Sequence, residues 1–114
     1  LCHAGSPSDF SEEGLAHWRE GLVALADVPG AICKLSGFGM FNHAWDVDHV
    51  RPLILTAIEL FGPERIAFGS NFPVDKLYAR YSRTMRAYLE VVQDFSEAEI
   101  AAMFADTAER FYRI

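Results

Sequence analysis

Three short apolar runs in this chain each stop on polar residues before the chain turns away. They are Leu1-Cys2-His3-Ala4-Gly5, Ala31-Ile32-Cys33-Lys34-Leu35-Ser36-Gly37, and Arg65-Ile66-Ala67-Phe68-Gly69-Ser70-Asn71-Phe72-Pro73-Val74-Asp75-Lys76. Runs this short, set between longer segments of helical period, read as strands of a parallel sheet. Enzymes built on such sheets carry their chemistry at the carboxyl ends of the strands, where backbone and polar side chains open into a crevice.

The segments between the runs supply the helices. Ser11 is placed to cap a helix with Leu15, Trp18, Leu22 and Leu25 on one face, stopped by Pro29-Gly30. Asp46 or Asp48 caps a second, whose first turn accommodates Pro52 and whose face is Val50, Leu53, Ile54, Ala57, Ile58 and Phe61, ending at Gly62-Pro63. Leu77, Tyr81, Met85, Tyr88 and Val92 make a third. Ser96-x-x-Glu99 is a capping box that opens a short helix with Ile100, Met103 and Phe104, and Thr107 caps a last turn carrying Phe111 and Ile114. Gly37 to Trp45 reads as a long aromatic-rich loop.

Alternating strands and helices give parallel pairing, with successive strands as neighbours. Two architectures satisfy that pattern: an open doubly wound sheet and part of a (β/α)8 barrel. The open sheet calls for a phosphate-binding turn, and neither GxGxxG nor GxxxxGK[ST] occurs. Polar residues at the ends of all three strands favour the barrel.

Composition narrows the class further. The chain has 114 residues, 51% hydrophobic and 23% charged, which fits one globular unit spanning 1–114. A net charge of −6 without a basic cluster argues against nucleic acid, and no apolar run approaches the roughly 18 residues of a membrane helix. The expected setting is the cytoplasm and the expected partner a small-molecule substrate, with a homo-oligomer left open. Cys2 and Cys33 stand in apolar runs and read as inert buried thiols. The first residues already read as the later half of a strand, so the chain is expected to begin inside a fold and to be a fragment of a larger domain.

Four motifs resemble one family. Leu1-Cys2-His3-Ala4-Gly5-Ser6-Pro7, Lys34-Leu35-Ser36-Gly37, Phe68-Gly69-Ser70-Asn71-Phe72-Pro73-Val74-Asp75 and Phe111-Tyr112-Arg113 are similar to the C-terminal part of the amidohydrolase-related TIM-barrel hydrolases, in particular the group of 2-pyrone-4,6-dicarboxylate lactonase and the sugar lactonases. The resemblance covers essentially the whole chain. It implies that the three strands are the sixth, seventh and eighth of a (β/α)8 barrel. The activity it implies is hydrolysis of a lactone or related ester or amide, by water attack on a polarised carbonyl. A metal-dependent non-oxidative decarboxylase of the same superfamily is the nearest alternative, and a non-catalytic barrel remnant or binding module is the alternative from another class.

The resemblance also assigns residues. His3 matches the family's strand-end histidine, which binds metal in some members and hydrogen-bonds the scissile carbonyl in metal-free lactonases. Asn71 stands where most relatives carry aspartate. An amide takes no proton near neutral pH and is a poor transition-metal ligand, so Asn71 orients water or substrate and is not the base, and metal dependence stays open. If a divalent metal such as zinc is present, His3 is its one ligand here. Asp75 is the candidate base, or else the cap of the following helix beside Lys76. Ser70 positions alongside Asn71.

Strand alternation treats the remaining candidates. Lys34 shares a face with Ile32 and Ser36, and a lysine tolerates burial only with a partner, so it is either a core ion-pair member or a cation that binds substrate, with Ser36 beside it. Phe38, Met40, Phe41 and Trp45 either shape a pocket over the site or pack against neighbouring helices. His17 and His49 read as solvated surface, and His43 lies on the loop above the site.

Overall fold

A computed structural model describes all 114 residues. The elements run α1 (Glu12–Ala26), β1 (Cys33–Leu35), α2 (Phe38–Phe41), α3 (Val47–Phe61), β2 (Ile66–Phe68), α4 (Tyr81–Val91), α5 (Glu97–Ala101) and α6 (Thr107–Tyr112). β1 and β2 pair in parallel, with Cys33 opposite Ile66, Lys34 opposite Ala67 and Leu35 opposite Phe68. Of the expected run Leu1–Gly5, Leu1 alone pairs in strand fashion. The Leu1 ammonium donates to the Ile32 carbonyl at 2.8 Å, and Lys34 N donates to Leu1 O at 2.9 Å. That is the slanted pattern of a parallel bridge to Cys33, so the sequential order first–second–third holds even though only two strands form a ladder.

The chain leaves Leu1 quickly because His3 to Ser6 fold into a left-handed turn. His3, Ala4, Gly5 and Ser6 have φ of 53, 50, 75 and 51°, and Gly5 N and Ser6 N bond back to Cys2 O and His3 O. Three of these four are not glycine, a costly conformation that surrounding contacts must hold. Trp18 of α1 helps by donating its indole N–H to Ala4 O at 2.7 Å, and Ala4 itself is fully buried.

The helices cover the sheet much as their apolar spacing requires. Every residue expected on the α3 face is buried, and Ile54 and Ala57 are completely so. Asp46 caps α3 through His49 N, Ser11 caps α1 through Gly14 N, and the Ser96–Glu99 box is formed in both directions. Arg65 ties two helix ends to the start of β2: its Nε donates to Phe61 O at the end of α3 and its Nη1 to Ala26 O at the end of α1, both at 2.8 Å. A cation is favoured there by the unsatisfied carbonyls of helix C-termini.

Several expectations need correction. Pro52 lies in the second turn of α3, where its missing N–H deprives the Asp48 carbonyl of a helical partner; the ring is exposed, and the helix continues through it. The Gly37–Trp45 segment is not all loop, since Phe38–Phe41 winds into one short helix. Leu77 precedes α4 in a separate turn and is 79% exposed, and Tyr81 and Leu25 also face outward. Thr107 is no cap: it sits inside a continuous helical run that passes through a π-turn at Ala102–Asp106, is fully buried, and donates its hydroxyl to Glu64 O at 2.9 Å. Cys2 is exposed, whereas Cys33 is buried, and desolvation pushes the Cys33 thiol up to about 12. No helix is long and apolar enough to cross a membrane.

Candidate active site

The strand ends meet at one edge of the sheet. His3 Nδ1 lies 2.9 Å from Ser36 Oγ, which joins the turn after the Leu1 stub to the residue that follows β1. Gly37 sits between them and Asn71: with φ of +72°, it occupies a left-handed conformation, and a Cβ there would stand 2.7 Å from His3 Nδ1 and 3.4 Å from Asn71 Nδ2. Only glycine meets both demands without displacing a neighbour. His3, Ser36 and Asn71 therefore close around one missing side chain.

Asn71 has φ of 55°, a conformation asparagine tolerates better than most residues. Its Nδ2 donates to Asp75 Oδ1 at 2.9 Å and approaches Met40 Sδ at 2.9 Å. Asp75 is 2% exposed and lies in the turn Val74–Leu77. It does not cap α4, whose N-terminal Arg80 makes no side-chain cap. Asp75 is thus a buried carboxylate directed at Asn71. Ser70 turns the other way, its Oγ accepting Phe72 N–H at 3.2 Å inside its own turn.

Lys34 belongs to the same face. It is half-buried and makes no ion pair or hydrogen bond through its ammonium group within the chain, so the core ion-pair alternative finds no partner among these residues. Its stem runs beside Gly69, and Ser36 lies next to it. Of the aromatic loop, Phe38 and Trp45 are buried in the core while Met40 is 40% exposed beside Asn71. His43 stacks on Tyr78 with ring centroids 4.5 Å apart. His49 bonds to Asp46 and His17 faces Glu20, both exposed as expected.

Tyr88, a helix-face residue by its spacing, underpins the site. It is fully buried, donates its hydroxyl to Gly69 O at 3.3 Å and stacks on Phe68. Burial first, and Asp75 second, push its phenol well above the ordinary tyrosine range. Periodicity marked Tyr88 as inward-facing, but no sequence signal tied its hydroxyl to Gly69. Gly37 was equally silent: its role is an absent side chain.

The donor set does not make a metal centre within this chain. Nowhere do three His, Cys, Asp or Glu side chains come together, and the site contributes one imidazole against the three or four protein ligands that zinc usually takes.

Comparisons with known proteins place the chain in a family and a fold. The family model described as amidohydrolase matches residues 1–114. The chain is 42% identical to protein y4mH of Sinorhizobium fredii, and 35% identical to an L-fucono-1,5-lactonase of Burkholderia multivorans. Both matches take in 100% of this chain, which spans 38% and 42% of those proteins, less than half their length. Among solved structures, a Burkholderia multivorans amidohydrolase with bound HEPES superposes with a TM-score of 0.93 at 33% identity, over 100% of this chain and 44% of that one. A second crystal form of an amidohydrolase from that organism, with bound zinc, gives the same TM-score and identity over 43% of its chain. The two parallel βα units and the Leu1 stub are part of a (β/α)8 barrel of this kind.

Proposed function

Because the chain belongs to the amidohydrolase family, we propose that the protein containing it hydrolyses a lactone, or an ester or amide close to one, with its substrate seated where His3, Ser36 and Asn71 meet. The observation that carries this reading is the convergence of His3 and Asn71 across Gly37 at the carboxyl ends of the strands. The likeness to L-fucono-1,5-lactonase supports a sugar lactone as the substrate class.

In this reading His3 polarises the carbonyl that water attacks, through the second ring nitrogen, which makes no hydrogen bond within this chain. Asn71 holds the water or a substrate hydroxyl, and Ser70 shapes the turn that carries Asn71. Met40 forms part of the wall. Lys34 offers a cation to a carboxylate, or to the hydroxyl-rich rim of a sugar. Asp75 is assigned to Asn71 rather than to the water: at 2% exposure with an oxygen bonded to the amide, it is poorly placed to take a proton from an attacking group, so in this reading the proton of the attacking water passes to a base supplied by the part of the barrel outside these 114 residues, and returns to the leaving hydroxyl when the lactone opens.

Hydrolysis of a panel of sugar 1,4- and 1,5-lactones by the full-length protein, followed as acid release, tests the proposal. Turnover of at least one lactone well above spontaneous opening is expected. Hydrolysis of none of them would sink it.

A further inference from the structure

The two residues that touch His3 and Asn71 have hydrogen-bonding chemistry that decides which face each presents. Ser36 is fully buried, and its hydroxyl has a single partner, His3 Nδ1. A hydroxyl carries one proton, and a buried donor needs an acceptor. If Nδ1 bore the ring proton and donated to Ser36, the Ser36 proton would have nowhere to go. The arrangement that satisfies both groups has Ser36 donating to a bare Nδ1, which puts the imidazole proton on Nε2. The same logic applies to Asn71. A carboxylate oxygen accepts, so the amide turns its NH2 group toward Asp75, and the second N–H of that group approaches Met40 Sδ. Asn71 Oδ1 is left without a partner within this chain.

We propose that Ser36 and Asp75 are positioning residues that preset the polarity of the site: Ser36 makes His3 a donor through Nε2–H, and Asp75 makes Asn71 an acceptor through Oδ1. The inference rests on the hydrolase reading above and deepens it. One donor and one acceptor, held across Gly37, match the two partners of an acyl-transfer step: a carbonyl oxygen that gains negative charge and a nucleophile that must be held by its proton. The same tautomer opposes metal ligation at His3 Nε2, because a nitrogen that carries a proton has no lone pair to give.

Nitrogen NMR of the full-length protein labelled with 15N-histidine tests this independently of activity. His3 is expected to show a protonated Nε2 and an unprotonated, hydrogen-bonded Nδ1. A deprotonated Nε2, free or bound to metal, overturns the assignment even if lactonase activity is found, and the spectrum decides the question if none is found. In the active enzyme Ser36→Ala should weaken the tautomer preference and lower kcat about tenfold or more, with Ser36→Thr restoring both. Asp75→Asn keeps an acceptor for Asn71 and should hold kcat within about tenfold. A loss of about 10³-fold or more in that variant would make Asp75 a general base instead and overturn its positioning role. Should Ser36→Ala fail to fold, the wild-type spectrum alone carries the decision.

Discussion

The stem of Lys34 lies against Gly69 where a side chain would otherwise be: a Cβ at position 69 would stand 2.9 Å from Lys34 Cε and 3.4 Å from Ser36 Cβ. Gly69 has no need of a left-handed backbone, so its lack of a side chain is what matters. The atom it would meet is near the free end of a flexible chain, which can move aside. Gly69→Ala is therefore expected to change stability by less than about 1 kcal/mol while displacing the Lys34 ammonium, and so to raise KM with little change in kcat. Thermal melting with steady-state kinetics separates the two. An unchanged KM would remove Lys34 from substrate binding.

Arg65 joins the ends of α1 and α3 through two hydrogen bonds from one guanidinium. Arg65→Met should keep the packing over Phe61 but lose both bonds, at a cost of about 2 kcal/mol or more. Arg65→Lys should recover little of it, because an ammonium lacks the fork needed to reach two carbonyls at once. Denaturant unfolding of the three proteins checks this, and a lysine variant as stable as the parent would contradict it.

Two exposed caps give the molecule an acid-sensitive component. The backbone N–H of His49 foremost, with its ring, holds the Asp46 carboxyl below 3.8, and the N–H of Ser96 with its hydroxyl holds Glu99 below 4.5. A carboxyl whose pKa is depressed on folding stabilises the fold above its unfolded value. That contribution is lost as pH falls through the folded value, because the unfolded chain takes up more protons in that window. The stability gap between the parent and Asp46→Asn or Glu99→Gln should accordingly be widest near neutrality and shrink below about pH 4. A gap constant across that range would show that the caps do not contribute through charge.

Helix faces and caps were legible because each rests on a local rule: the 3.6-residue spacing of Val50 to Phe61, the Ser11 and Asp46 caps, and the Ser96–Glu99 box all form. The run Leu1–Gly5 reads as strand throughout because its apolar start is visible in the sequence while the left-handed turn at His3–Ser6 is not. No composition signal announces positive φ at His3 and Ala4. Thr107 follows the same logic: a threonine before a short helical stretch looks like a cap, but the preceding π-turn keeps the helix continuous and turns its hydroxyl to Glu64. At the site, motif order placed His3, Ser36 and Asn71 at one sheet edge. Long-range geometry alone could show that Asp75 faces Asn71 and that Tyr88 supports Gly69.

The sheet of this chain carries open edges. Leu1 bonds only to β1, and β2 has a ladder partner on one side. Exposed edges recruit other strands, and a complete barrel of this type takes roughly 250 residues to close. The 114-residue chain expressed alone is expected to self-associate or unfold without a cooperative transition, and to lack lactonase activity. Sedimentation and a thermal melt would show it. A soluble monomer with a sharp melt and activity would mean that these residues form a self-contained fold.

Whether His3 polarises the reacting carbonyl is decided by His3→Ala in the full-length protein. With the best lactone identified and the variant's melting temperature matched to the parent, kcat is expected to fall by about 10²-fold or more, the scale of losing one preorganised donor at a developing oxyanion. A kcat within about twofold of the parent would contradict the account.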